Sequence, residues 1–265
     1  MPDPFVVQEV GSLALATCDD DYIAIYQRLI EAVAASIAHS SRSSSESDLL
    51  RFCEFLITNS RRSHSQLFQD LWVAFELNEK RAGYFVEFGA CDGLHLSNTL
   101  MLENSYGWTG IIGDPNPKYK RALRKNRKCK VTSRCVYPGP RKLRPFRCTA
   151  DGAFSTLEEF AQKDAHWEEY RSTEYEHVNV YTVSINDILQ RVKAPSVIDY
   201  LSLDTEGSEL EILRDLDFDK WKVSVITVEH NYTPRRQEIH DLLQSQGYVR
   251  KWSAMSRWDD WYVFQ

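Results

Sequence analysis

From Gly83 onward the chain alternates short apolar runs with helical stretches, and several of those runs end on an acidic or glycine-containing turn. No other feature constrains the fold as strongly. A strand buried on both faces reads as an unbroken apolar run, and repeated strand–helix units predict a parallel sheet with right-handed crossovers and helices on both faces. The predicted strands are residues 84–88, 108–113, 130–136, 178–183, 198–203 and 223–228. Helices are expected from Ser97 to about Tyr106, from Asn116-Pro117 to Asn126, and over 185–192, 208–213 and 234–246, the last closed by Gly247. Residues 248–252 and 260–264 suit an antiparallel hairpin closing the sheet.

Upstream, residues 12–38, 48–59 and 65–77 carry apolar positions at helical spacing, with Asp48 and Ser65 as N-caps. The serine-rich residues 40–47 predict a flexible connector. Residues 1–80 are therefore expected as a helical N-terminal extension and 81–265 as the ligand-binding domain. Inside that domain, 137–178 reads as an irregular insertion around Pro138, Gly139, Pro140 and Pro145, with a helix over 157–170. An insertion of this length in a compact domain is often functional.

Composition excludes several classes. Hydrophobic residues make up 43% and charged residues 26%, ordinary for a globular chain. The longest apolar-rich stretch, 22–38, is broken by Gln27, Arg28 and Glu31, so no membrane span is expected. The start, Met1-Pro2-Asp3-Pro4, lacks a secretory pattern. The six cysteines form no CxxC pair and lie near no paired histidines, which argues against a zinc site or disulfide framework and for a cytoplasmic setting. The net charge of −6 hides a block at 118–147 with thirteen Lys or Arg and no acid. It is either a solvated face or a surface that attracts an anionic acceptor. No nucleic-acid signature accompanies it, so nucleic acid is an unlikely partner.

Ligands of open α/β sheets bind beyond the carboxyl ends of the strands. After the first strand, Gly89 and Gly93 allow close backbone approach to a ligand, yet the loop is neither GxGxxG nor a P-loop. After the second, Asp114 could accept both hydroxyls of a ribose. After 198–203 come Asp204, Thr205, Glu206, Gly207, Ser208 and Glu209, three acids in six residues. After 223–228 come Glu229, His230 and Asn231. These last two exits should converge on one pocket, with Glu209 rather a helix cap than a functional group.

The runs YFVEFGACDG (84–93), SNT (97–99), GWTGIIGDPNP (107–117), DYLSLDTEGSELEIL (199–213), ITVEHN (226–231) and WDDWYV (258–263) resemble the FkbM family of methyltransferases over roughly residues 65–265. The resemblance implies the class I methyltransferase fold, Rossmann-like and α/β, with a mostly parallel seven-stranded sheet and a C-terminal antiparallel hairpin. It implies S-adenosylmethionine as cofactor and O-methylation of a hydroxyl on a sugar, glycan or natural product. Asp114 departs from the longer acid usual before PNP. By the same resemblance Glu87, Gly89 and Asp92 line the amino-acid portion of the cofactor. Ser97, Asn98 and Thr99 hold its carboxylate, Asp114 with Asn116 takes the ribose, and Val136, Asp151 and Ala153 lie near the adenine.

Methyl transfer from a sulfonium needs an aligned acceptor and removal of its proton. Two arrangements fit. His230 acts as general base beside Asp204 and Glu206, or Asp204 with Glu229 or Asn231 holds Mg2+ and lowers the acceptor's pKa. A nucleotide-sugar-using transferase, or a non-catalytic scaffold binding through 118–147, are the competing readings.

Overall fold

The computed structural model describes residues 44–150, 152–161, 174–253 and 255–265. The chain falls into two compact units, residues 1–61 and 62–265. In the first, helix α1 spans Ser44–Asn59. The expected connector is thus helical from Ser44, and Asp48 lies within the helix instead of capping it. The predictions over 12–38 and 40–43 lie outside the described residues, as does most of 157–170.

In the second unit, α2 (Gln69–Glu76) precedes β1 (Tyr84–Phe88), α3 (Leu100–Tyr106), β2 (Thr109–Gly113), α4 (Lys120–Asn126) and β3 (Lys130–Thr132). After β4 (Cys135–Val136), β5 (Leu143–Thr149), β6 (Thr156–Leu157) and β7 (Tyr175–Val183), the alternation resumes. It runs through α5 (Ile185–Arg191), β8 (Val197–Leu203), α6 (Glu209–Asp215), β9 (Lys222–Glu229) and α7 (Arg235–Ser245) to β10 (Tyr248–Lys251) and β11 (Asp259–Phe264). Ser65 does not cap α2, whose N-cap is Phe68; its hydroxyl takes the Asp70 N–H, inside the first turn.

One sheet has the order β10-β11-β9-β8-β1-β2-β3. It is mixed: β11 is antiparallel to both neighbours, and every other strand runs the same way. The strands of its centre are predominantly apolar because helices cover both faces. Val86, Ile111, Leu201 and Ile226 form the core with Ile188, Ile212 and Leu243 from the helices.

The insertion corrects three expectations. Residues 130–136 are not one strand: Lys130–Thr132 pairs with β2, while Cys135–Val136 pairs with β7. β7 does not enter the large sheet, since it pairs antiparallel with β5. Residues 137–178, read as irregular, contain β5 and β6 of a second sheet ordered β4-β7-β5-β6. That sheet closes over Cys135, Phe146, Leu157, Phe160 and Val180. Pro145 masked β5 in the sequence. Its carbonyl accepts Glu158 N–H on the side away from β7, and β6 pairs only with Phe146 and Arg147. The missing proline N–H faces this open edge and costs no ladder bond.

Candidate active site

Three strand exits are locked together by backbone. Gly89 N donates to Gly113 O (3.0 Å), and Asp204 N donates to Phe88 O (3.0 Å). Gly89 has φ +92°, and a Cβ there would lie 1.5 Å from the Asp204 carbonyl oxygen. Its lack of a side chain is therefore required by the neighbouring strand exit, in addition to the ligand approach that the sequence suggests. Gly93, at φ +80°, backs onto the Arg127 side chain in the same way.

Asp114 ties the glycine turn to β2. One carboxylate oxygen accepts Cys91 N–H (3.0 Å) and the other Asn116 N–H (2.8 Å). Burial pushes this carboxyl up to about 7, against the two N–H groups, with Asp204 adding repulsion. Burial also raises the Cys91 thiol, which leaves it unreactive. The result is a cleft of ≈ 470 Å³, lined by Gly89, Asp114, Val136, Ala153, Asp204 and Glu206. Asn116 is buried beside it, bonded through its amide to Ser155 Oγ (3.0 Å). Asp151 lies outside the described residues.

Glu87 is buried in a different setting. It accepts Asn98 N–H (2.8 Å), the Thr99 hydroxyl (2.5 Å) and Ser97 Oγ (3.3 Å), with Arg127 Nη1 at 3.5 Å. Arg127 is fully buried and also pairs with Glu103 at 2.7 Å. Glu87, Ser97, Asn98 and Thr99 are thus brought together as foreseen, around each other and an arginine. Asp92 accepts the N–H groups of Leu94 and His95, both at 2.9 Å.

The exits of β8 and β9 meet, as expected. Asp204, Glu206 and Glu229 each offer a carboxylate oxygen, all within 4.8 Å of one another. Glu209 is a clamp: it accepts Thr205 N–H (2.7 Å), Thr205 Oγ1 (2.8 Å) and Gly207 N–H (3.0 Å). It thereby shapes the turn in which Glu206 is held at φ 57°. Asn231, at φ 44°, donates its amide to Glu206 at 3.4 Å. Non-glycine residues in this region cost on the order of 1 kcal/mol or more, so both turns are over-determined by their surroundings.

Burial and Glu209 raise Asp204 to about 7, opposed by a hydrogen bond from Glu229. Burial, with Asp204, Glu206 and Glu209 around it, holds Glu229 well above the carboxylate range. Among the described residues, one Glu229 oxygen has no hydrogen-bond partner. Behind it, His230 is buried, with Nδ1 accepting Tyr232 N–H (3.0 Å) and Nε2 3.7 Å from Asp260. Burial lowers its pKa to about 4, so it is neutral near pH 7. Glu229, His230 and Asn231 also line an adjoining cleft of ≈ 410 Å³ with Phe160 and Arg235.

Sequence reasoning missed Arg127, which sits in the basic block like any exposed lysine. It also missed Phe146, Ser155 and Leu157, which the second sheet brings to the first cleft. Residues 143–149 show no regular alternation of apolar and polar side chains, and Pro145 within them reads as a strand breaker, so the sequence offered little signal there.

The description Methyltransferase FkbM domain matches residues 87–250. No curated protein matches the chain. Among solved structures, the precorrin-6y C5,15-methyltransferase of Geobacter metallireducens GS-15 is 12% identical, with 73% of this chain and 84% of that chain covered and a TM-score of 0.39. A putative RNA methyltransferase of Pyrococcus horikoshii is 12% identical, with 84% and 83% covered and a TM-score of 0.33. Both are too distant to speak to the chemistry. The match over 87–250 takes in more than half of the chain, together with the glycine turn, Asp114 and both acidic exits, and the protein belongs to the FkbM methyltransferase domain family.

Proposed function

We propose that the chain is an S-adenosylmethionine-dependent O-methyltransferase acting on a hydroxyl of a sugar, glycan or natural product. Family membership implies methyl transfer and this donor. The strand order β3-β2-β1-β8-β9-β11-β10, with β11 alone reversed, supports the class I methyltransferase fold for residues 81–265, with 1–80 as an extension. A cytoplasmic setting accords with the free thiols of the described cysteines.

In this reading Asp114 accepts the ribose hydroxyls with Asn116 nearby, and Val136, Asp151 and Ala153 flank the adenine. Gly89 and Asp92 shape the turn over the amino-acid portion. Glu87 and the hydroxyls of Ser97 and Thr99 support that turn by satisfying one another, and Asn98, whose side-chain oxygen has no hydrogen-bond partner among the described residues, is left to hold the amino-acid portion. The acceptor oxygen attacks the methyl carbon in line, the C–S bond breaks, and S-adenosylhomocysteine leaves. The acceptor proton passes to the Asp204 carboxylate at the exits of β8 and β9; were Mg2+ held there by Asp204 with Glu229 or Asn231, it would supply Lewis-acid lowering of the acceptor's pKa. His230 supports Glu229 and Asn231 from behind, its Nδ1 already engaged.

The Cys91–Asp114 hydrogen bond carries the reading, since it sets the glycine turn and the acid on one cleft. Calorimetric titration with S-adenosylhomocysteine tests it. Wild type should bind at micromolar concentration, and Asp114→Ala should bind about 10- to 100-fold more weakly, the loss expected for charge-assisted hydrogen bonds. Absent binding, or equal binding by both proteins, rejects the assignment.

A further inference from the structure

Buried carboxylates ordinarily come with a cation or a full set of donors. Glu229, in a cluster with Asp204 and Glu206, lacks both for one of its oxygens among the described residues. The ion pairs of the neighbourhood serve other acids: Arg127 takes Glu87 and Glu103, Arg235 takes Glu211, and Arg236 and Arg250 take Asp260. Glu209 is filled by backbone N–H groups. Asp204 has the hydrogen bond from Glu229, and Glu206 has the Asn231 amide at 3.4 Å. Glu229 is 7% exposed, and one of its oxygens is unpartnered among the described residues.

We propose that Asp204, Glu206 and Glu229 bind one hard divalent cation, Mg2+ or Mn2+, at the junction of the two clefts. The ligands differ from those anticipated in the sequence: Glu206 replaces Asn231, whose amide nitrogen is turned to Glu206 and helps to aim it. Oxygen-only, all-carboxylate ligands suit hard cations. In an octahedral Mg2+ site, ligands on opposite sides lie about 4 Å apart, twice the metal–oxygen distance. The three ligand oxygens lie within 4.8 Å of one another, close to that separation. Three monodentate carboxylates leave about three positions for water and an acceptor oxygen. Binding displaces the proton that Glu229 shares with Asp204, because a ligating carboxylate must be ionised. An acceptor hydroxyl bound to the cation would become more acidic. That last consequence rests on the methyl-transfer reading, whereas the site itself does not.

Mn2+ added to the full chain, with unbound ion followed by electron paramagnetic resonance, tests the site. One Mn2+ per chain should bind saturably, with release of protons to the buffer. Glu206→Gln and Asp204→Asn should each weaken binding at least tenfold. S-adenosylhomocysteine titration of the same variants reports whether they are folded. Absence of saturable Mn2+ uptake by wild type overturns the proposal, and so does equal uptake by a variant that still binds S-adenosylhomocysteine. Saturable uptake that both variants lose, in a protein that never binds S-adenosylhomocysteine, rejects the methyltransferase reading and keeps the cation site.

Discussion

Two buried acidic regions lie at the same edge of the large sheet and are built on opposite principles. At the exit of β1, Glu87 is surrounded by donors and shares Arg127 with Glu103. At the exits of β8 and β9, Asp204, Glu206 and Glu229 face one another, and the nearby arginines are committed elsewhere. In the first region the carboxylates are matched by donors and a guanidinium, while the Asn98 side-chain oxygen has no hydrogen-bond partner among the described residues. In the second, one Glu229 oxygen has no hydrogen-bond partner among the described residues, and a buried acceptor of that kind stabilises nothing by itself.

The largest effect that would separate the two should come from Arg127→Met. It strands Glu87 and Glu103 in the interior, and breaking a buried ion pair from one side costs about 3–5 kcal/mol. Urea denaturation of wild type and variant checks this. A loss below about 1 kcal/mol, the scale of an exposed pair, would erase the contrast between the regions.

Asp204→Asn should do the reverse. Turnover, scored with whatever hydroxyl acceptor supports it, should fall by about 10²–10⁴, the range for a group that handles the proton. S-adenosylhomocysteine affinity should stay unchanged. Full turnover in this variant would remove the β8 exit from the chemistry.

The smallest effect concerns pH. Asp204 lies at about 7 in the folded protein, above an unfolded value of about 4. An acid raised on folding contributes stability below its unfolded pKa and loses it as pH climbs through the folded one. Wild type should therefore be less stable at pH 8 than at about pH 6.5; His230 is neutral in the folded chain across this window, and its unfolded imidazole, half protonated at about pH 6.5, opposes the trend by a smaller amount. Asp204→Asn should reduce that slope, leaving the share due to Asp114, which also lies at about 7, and should melt above wild type at pH 8 by roughly 2–4 °C for each kcal/mol of relieved repulsion. Parallel thermal-melting curves across the window would show that Asp204 is not the titrating group.

Much of this was legible beforehand where a local pattern had one physical meaning. The apolar runs at 84–88, 198–203 and 223–228 are strands because a sheet covered on both faces tolerates little else. The sequence also marked Asp114 and the acids after β8, since polar groups leaving buried strands must open on a shared edge. Gly89 was noticed for close approach to a ligand, and tertiary structure adds a second reason, since a Cβ there would also meet the Asp204 carbonyl. The second sheet was hidden because Pro145 resembles a strand breaker until its free edge is known.

The sequence by itself determined the α/β alternation, the family, and which strand exits carry acids, all of which depend on residues close together in the chain. Tertiary structure decided what those acids are. Glu87 and Glu229 each sit among apolar neighbours near the end of a strand and read alike. Arg127, forty residues from Glu87, and the return of β9 beside β8 separate a satisfied carboxylate from one left with capacity to bind. Burial sets the cost of a charge, and only long-range contacts decide whether that cost is met by a partner.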